Sequence, residues 1–463
     1  MDRVTLIEGP AFEAKLSPLD AKFAGLYSRR LLTFKPAVMD KELLAKVLEQ
    51  ATESLLEQLP ILGGVVDMDK SPPGGQSGWK SIEPGPGVEI TVKDVSDTLD
   101  FEGLEKQAFP PASLPDAMLM PVDGNLAQVP YPACKLQLNL TDAGALLAVC
   151  VAHNVSDGPG ISAIVCLLAE CCRKVQQNGL DAGRVEIAPE LRVGLDRTCY
   201  RGLKGSKNRI EDQPAYRMVP KEEQKSKPSK PDIIVKMYRI PSDRLKALKS
   251  ATTTIRISTH DAISALIWRS ITINRIAAGS IKDDSTAPST FFIPVNTRRH
   301  MSLDPNFIGN AVFQTRCTLT IGALLSENGL AQAAAAIRTA INAVSADSIA
   351  GHIDLLERQE SLQDVQWIGS TARGPNDVAS TSFYHSEAMY AADFGGAFGH
   401  RMLCMRPTEL GFLGNVSVMH YVMPFEGERG CEVQLSVERG GLEEMEGDGV
   451  FGRFFCDVAA VGE

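Results

Sequence analysis

No apolar run in this sequence approaches the roughly 18 residues that a helix needs to span a bilayer. The opening stretch, Met1 to Pro10, has neither the basic patch nor the apolar stretch of a secretory signal. No membrane partner is expected, and a cytoplasmic location is the default expectation. A Cys-x-x-Cys pair is also missing. The ten cysteines are scattered, and Cys134, Cys150 and Cys166 fall inside apolar runs, where a thiol acts as a small hydrophobe. Reduced, buried thiols are expected, with neither a disulfide framework nor a metal site. Positive charge is in deficit: 47 Lys and Arg stand against 57 Asp and Glu, a net charge of -10. A nucleic-acid surface needs clustered cations over a whole face, so no nucleic-acid partner is expected, although local basic groups for a small polyphosphate remain compatible. There is no short-period repeat.

What is present is a large apolar reserve. With 44% hydrophobic and 22% charged residues among 463, the chain can bury an enzyme-sized core, in about two or three domains. From Asp40 to Gln58, Leu43, Leu44, Val47, Leu48, Ala51 and Leu55 recur at helical spacing, and Pro60 with Gly63-Gly64 ends that helix. Two β-rich runs, Lys135 to Leu140 and Leu146 to Ala152, flank a turn at Thr141 to Ala145. Gly158-Pro159-Gly160 is read as a break before a helix whose apolar face holds Ile161, Ile164, Val165, Leu167 and Leu168. Between Cys199 and Asp232 Lys, Glu and Pro mix without an aromatic pattern, which predicts a flexible crossover over residues 201–232.

That crossover divides the chain into 1–200 and 233–463. The second half opens on a strand, Ile233 to Ile240, and a short helix capped by Ser242. Ser258-Thr259-His260-Asp261 then fits a capping box ahead of an apolar helix face. Strands are predicted at Phe291 to Val295, Ala311 to Thr320 and Glu432 to Ser436, and a helix at about Ser326 to Val344. Both halves therefore mix helices and strands, a fold of the α/β class with mixed α+β sheets, in two domains.

A His followed four residues later by Asp occurs twice. His300-Met301-Ser302-Leu303-Asp304 lies in a polar stretch behind Arg298-Arg299. His153-Asn154-Val155-Ser156-Asp157-Gly158 instead leaves the buried run Leu146 to Ala152, so its imidazole is delivered at a strand end where the chain turns away. An imidazole near neutral pKa can accept the proton that a hydroxyl or amine loses on attacking a thioester. Asp157 can bond the loop or the ring. On these residues alone, a structural His153 that satisfies backbone groups at the strand end stays open.

Further stretches resemble the plant and fungal BAHD acyltransferases, closest to the fungal trichothecene 3-O-acetyltransferase-like branch, nearly end to end. Leu16-Ser17-Pro18-Leu19-Asp20 resembles the family's opening motif and Leu59-Pro60-Ile61-Leu62-Gly63-Gly64 its first-helix exit. His153 to Gly158 matches its His-x-x-x-Asp-Gly signature, and Ser258 to Arg269 its second-half helix. Val295-Asn296-Thr297-Arg298-Arg299 and Phe307-Ile308-Gly309-Asn310 are similar to its Asn-x-Arg and Tyr-Phe-Gly-Asn segments. The family's late Asp-Phe-Gly-Trp-Gly stands here as Asp393-Phe394-Gly395-Gly396-Ala397, a departure that puts the packing of that loop in question. Read as a kinase triplet, it lacks any His-Arg-Asp loop or Gly-rich strand turn.

The resemblance implies two chloramphenicol acetyltransferase-like domains with a central channel, His153 at its centre. It implies a monomer that takes acyl-CoA, acetyl by default, as co-substrate and a small-molecule acceptor, with no permanently bound cofactor. The acceptor group is expected to be a hydroxyl of a specialised metabolite rather than an amine. His153 is the expected base of a direct, ternary-complex transfer, and Asp157 an orienting residue paired with Arg298. Gly158, Asp393 and Gly395 are expected as structural support. Ser382 or Tyr384 is a candidate for the oxyanion, with ordinary packing as the alternative. Ser258 and Thr259 are candidates for a coenzyme A phosphate, with a plain helix cap as theirs. No Gly-x-Ser-x-Gly elbow is present, which favours transfer without an acyl-enzyme. Two rivals are kept. A condensation domain using carrier-protein thioesters usually has two adjacent His, where this chain has Ala152 before His153. A catalytically silent scaffold is hinted at only by the changes after Gly395.

Overall fold

The computed structural model describes residues 2–23, 25–123, 127–180, 185–187, 191–218, 232–252, 255–371, 374–383, 386–409, 419–424 and 430–457. The chain forms two compact units. The first comprises 1–201, 302–311 and 386–416, and the second 202–301, 312–385 and 417–463. Two stretches from the second half of the sequence thus pack with the first unit.

The first unit is built on a six-stranded mixed sheet in the order Arg3–Ile7, Val88–Asp94, Cys134–Leu140, Ala145–Ala152, Tyr27–Phe34, Cys404–Arg406. Cys134–Leu140 and Ala145–Ala152 pair antiparallel across the turn expected at Thr141, whose hydroxyl accepts the Gly144 N–H at 3.0 Å. Every residue from Ala145 to Ala152 is buried, as suits a central strand covered on both faces, and this accounts for an unbroken apolar run rather than an alternating one. The amphipathic helix Lys41–Gln58 starts where Asp40 caps it, and it packs against a second helix, Gly158–Asn178.

That second helix begins earlier than the sequence suggests. Gly158-Pro159-Gly160 does not break the chain but forms the first helical turn, with Asp157 as N-cap. Proline fits there because the first turn leaves its N–H groups unbonded in any case.

In the second unit a seven-stranded sheet runs in the order Val312–Thr320, Pro288–Asn296, Val378–Ser382, Met419–Pro424, Cys431–Glu438, Ile233–Ile240, Cys456–Asp457. The helix Thr259–Ala277 packs against Gly329–Asn342, and Ile263, Leu266, Ile267 and Ile271 join one apolar core with Phe291, Val433 and Leu435. Trp268 is fully buried and its indole N–H donates to Ser289 Oγ at 2.8 Å. The short helix predicted after Ile240 spans Ser242–Thr252, and the one predicted from about Ser326 starts at Gly329.

The start of the polar crossover is anchored rather than flexible. Gly202 N–H donates to Glu357 at 2.9 Å, Ser206 N–H to Asp347 at 2.8 Å, and Lys204 and Asn208 both bond Asp354, all on the helix Ala346–Glu357. Of the charged residues in this stretch, Lys204 pairs with Asp354 on that helix and Arg209 with Asp212 nearby. Residues 219–231 of the crossover lie outside the described residues.

All ten cysteines are free thiols. Burial raises those of Cys150 and Cys171 to about 12 and those of Cys166 and Cys199 to about 11. Among the described residues, no helix is long and apolar enough to cross a membrane, and no cluster of His, Cys, Asp and Glu could hold a metal ion.

Candidate active site

Sheet pairing stops at Ala152, opposite Tyr27, and His153 is the next residue. Its backbone N–H donates to Leu26 O at 2.7 Å, and Val155 N–H closes the turn on Ala152 O at 2.8 Å. Asn154 is wholly buried. Its Nδ2 donates to Asp20 O at 2.8 Å and Phe23 O at 3.1 Å, while its Oδ1 accepts the Tyr131 hydroxyl at 2.6 Å. The turn is thereby sewn to the segment that carries Ser17 to Phe23.

The imidazole is half-buried and lies flat against Phe23, with ring centroids 4.1 Å apart and planes 20° apart. Nδ1 is 3.1 Å from Asn310 Oδ1. The chemistry around Asn310 settles which atom donates. Its amide nitrogen is 2.7 Å from His153 O and 2.8 Å from an Asp20 carboxylate oxygen, both acceptors, so the amide oxygen faces the ring. Nδ1 therefore carries the proton and Nε2 a lone pair. Among the described residues, the ring's hydrogen bond is made through Nδ1. Burial holds the imidazole below its ordinary pKa, opposed by the nearby charge of Asp157, so the neutral form is favoured.

Asp157 is the N-cap of the helix Gly158–Asn178. One carboxylate oxygen accepts the Gly160 N–H at 3.0 Å, capping the helix, and the other accepts the Ala311 N–H at 2.9 Å. It is a brace that ties the helix start to the 302–311 stretch of the same unit. Gly158 is the first helical residue. The tight spot is Gly160, where a Cβ would stand 2.3 Å from Ser156 Oγ and 2.8 Å from Ile308 O.

The Asp393-Phe394-Gly395 loop, placed by sequence in the C-terminal domain, belongs to the first unit. Phe394 is buried against Phe34 and Phe398. Asp393 accepts the Gly395 N–H at 2.8 Å, and Gly395 has a φ of +80°, where its hydrogen faces Gln176. Gln176 bonds both Phe394 O and Ala397 N–H at 2.7 Å, so the loop closes well without the family's Trp.

The remaining expected residues lie in the second unit. Arg298 is buried, and both its backbone N–H and its guanidinium bond Asn296 Oδ1, at 3.1 and 3.3 Å. The Ser258 hydroxyl caps Thr259–Ala277 and accepts from Arg338 at 2.7 Å, while Arg338 also grips Asp261 with two bonds. Thr259 is the first residue of that helix. Ser382 ends the strand Val378–Ser382, and Tyr384 lies outside the described residues. Sequence reasoning quoted Asp20 and Asn310 within motifs yet missed their hold on His153, and it missed Phe23 altogether. The Asn that closes Phe307-Ile308-Gly309-Asn310 was the available signal.

Relatives and solved structures agree with this architecture. The chain is 28% identical to the Enoyl-CoA isomerase/hydratase claC of Penicillium crustosum over its whole length, yet spans only about half (53%) of that protein. It is 26% identical to the O-acetyltransferase ptmV of Penicillium ochrochloron, covering 96% of this chain and 97% of the relative. The crystal structure of F. graminearum TRI101 complexed with coenzyme A and deoxynivalenol shares the fold at a TM-score of 0.80 and 22% identity, over 96% of this chain and 99% of that one. Residues 96–449 match the Transferase family, and the chain belongs to that family, the BAHD acyltransferases.

Proposed function

We propose that the chain transfers an acyl group, acetyl by default, from acyl-CoA to a hydroxyl of a specialised metabolite, with His153 as general base. The observation that carries the reading is the geometry around the ring: Nδ1 lies 3.1 Å from Asn310 Oδ1, and the Asn310 amide nitrogen is held by two acceptors, so Nδ1 donates and Nε2 keeps its lone pair on a half-buried imidazole of lowered pKa. The acceptor hydroxyl gives its proton to Nε2 as its oxygen attacks the thioester carbonyl. The carbon–sulfur bond then breaks and the imidazolium returns the proton to the departing coenzyme A thiolate. Atoms balance as an ester and a free thiol, and no acyl-enzyme forms. Thiols raised to about 11 or 12 by burial, such as Cys166 and Cys150, are poor competing nucleophiles.

Support for the donor and acceptor classes comes from the relatives: fungal O-acetyltransferases by name, and TRI101 crystallised with coenzyme A and deoxynivalenol. In this reading Asp157 shapes the loop and does not carry protons. Ser258 and Thr259 are proposed to contact a coenzyme A phosphate, and Ser382 or Tyr384 to stabilise the oxyanion.

The test is a matrix of acyl-CoAs, acetyl-CoA first, against hydroxylated metabolites including deoxynivalenol and T-2 toxin, with amines as controls. Acceptor-dependent thiol release, with a product gaining one acyl group by mass spectrometry, is the expected result. Transfer only from carrier-protein thioesters, or only to amines, would contradict the assignment.

A further inference from the structure

We infer that Asp20 is a positioning residue for His153, acting through Asn310 to fix which ring nitrogen carries the proton. The inference deepens the reading of His153 as the base and rests on it.

An imidazole beside a carboxamide has two self-consistent arrangements. With the amide oxygen toward Nδ1, the ring donates from Nδ1 and Nε2 is a base. With the amide flipped, its NH2 group faces Nδ1, Nδ1 becomes the acceptor, and the proton moves to Nε2, which can then accept nothing. The two forms differ only by a half-turn of the amide and a shifted proton. In isolation they are close in energy, so the choice must be imposed from outside the pair.

Asp20 imposes it. Its Oδ1 accepts from both the backbone N–H and the side-chain Nδ2 of Asn310, each at 2.8 Å, and His153 O accepts the second Nδ2 hydrogen at 2.7 Å. A flip would set the amide oxygen against a carboxylate and a carbonyl at these distances. Asp20 is itself held. Its Oδ2 accepts the Ser17 N–H at 3.1 Å and the Ser17 hydroxyl at 2.7 Å, and Arg197 Nε lies 3.3 Å from the same oxygen. Backbone N–H groups can only donate, and one faces each oxygen, so both oxygens act as acceptors. Asp20 and Asn310 are at most 1% exposed, which excludes the water that would otherwise let the amide turn. Asn154 ties the backbone of Asp20 to the same turn at 2.8 Å.

The direct readout is the tautomer. In the full chain labelled with 15N-histidine, the His153 signals are assigned by their loss in His153→Gln. The wild type is expected to show a single Nδ1–H form. In Asp20→Ala the acceptor for Asn310 Nδ2 is gone, and a mixture with the Nε2–H form is expected. Alongside it, turnover of acetyl-CoA with whichever acceptor the matrix identifies falls on the order of tenfold, with KM for acetyl-CoA unchanged. Asp20→Asn can still turn an amide oxygen toward Asn310 N–H and Nδ2, but its NH2 then faces the Ser17 N–H, so it weakens the lock without removing it. That variant is expected to show a smaller Nε2–H fraction than Asp20→Ala and to keep part of the turnover.

A folded Asp20→Ala that keeps the Nδ1–H form alone overturns the inference. Should that variant fail to fold, Asp20→Asn decides: an Nε2–H fraction absent from the wild type supports it, and the Nδ1–H form alone overturns it. If the tautomer responds as stated while turnover stays at the wild-type rate, the positioning by Asp20 stands and the base assignment of His153 is what fails.

Discussion

Asn310 Oδ1 lies 3.1 Å from His153 Nδ1, across 157 residues of sequence, and accepts a hydrogen bond from that nitrogen. The contact leaves Nε2 as the basic nitrogen. Because the ring is also stacked on Phe23, both its protonation pattern and its plane are set before any substrate arrives. Such advance placement is what a base needs, since misorientation by even about 1 Å costs large factors in rate.

The lowered pKa of His153 gives pH dependence a direction. In the proposed reaction His153 acts when neutral, and burial shifts the midpoint below the ordinary imidazole value of about 6.5. The acid limb of kcat/KM is expected below about 6.5 and to be absent in His153→Ala. The same group contributes stability that is present above its unfolded pKa and is lost as pH falls through the folded one. A kcat/KM limb well above 6.5 would contradict the burial argument.

Phe23→Ala removes the surface on which the imidazole lies while leaving the Asn310 bond intact. Turnover is expected to fall on the order of tenfold through loss of ring orientation, with KM for acyl-CoA little changed. Phe23→Tyr keeps the ring face and should retain most activity. Steady-state kinetics on the two variants check this.

Asp157→Ala deletes the N-cap of Gly158–Asn178 and the acceptor for Ala311 N–H. A loss of about 2–4 kcal/mol of stability is expected, from a cap and a buried donor left unpaired. Urea unfolding measures it. Asp157→Asn keeps one acceptor oxygen and should lose less.

Gly395→Ala is expected to destabilise by about 1–3 kcal/mol, because φ is +80° and a Cβ would stand 2.3 Å from Gln176 Nε2. The reduced thermal midpoint should accompany near-normal kcat, since the loop packs against Phe34 and Gln176 and not against His153.

Much of this could be read from the chain. Leu146 to Ala152 announced a buried strand because seven consecutive apolar residues suit only a segment covered on both faces, and Ser258-Thr259-His260-Asp261 announced its helix because the box chemistry is local. Gly158-Pro159-Gly160 was misread because glycine and proline signal a break in general, whereas after a capping Asp they suit a first turn. The hold of Asp20 and Asn310 on His153 was illegible for a different reason. Those bonds join three segments far apart in sequence, and nothing in local spacing reports a carboxylate aimed at an amide. Likewise, only tertiary packing of Phe394 on Phe34 could assign the late loop to the first unit.

The central claim is that His153 moves the proton. It is tested most directly by acetyl-CoA turnover of His153→Ala with the acceptor identified in the matrix, beside a thermal-unfolding comparison that shows the fold intact. The backbone bond to Leu26 does not depend on the side chain, so the variant should fold. The account predicts a kcat loss of about 10²–10⁴-fold with little change in KM for acetyl-CoA. Turnover within about twofold of wild type in the folded variant would contradict it.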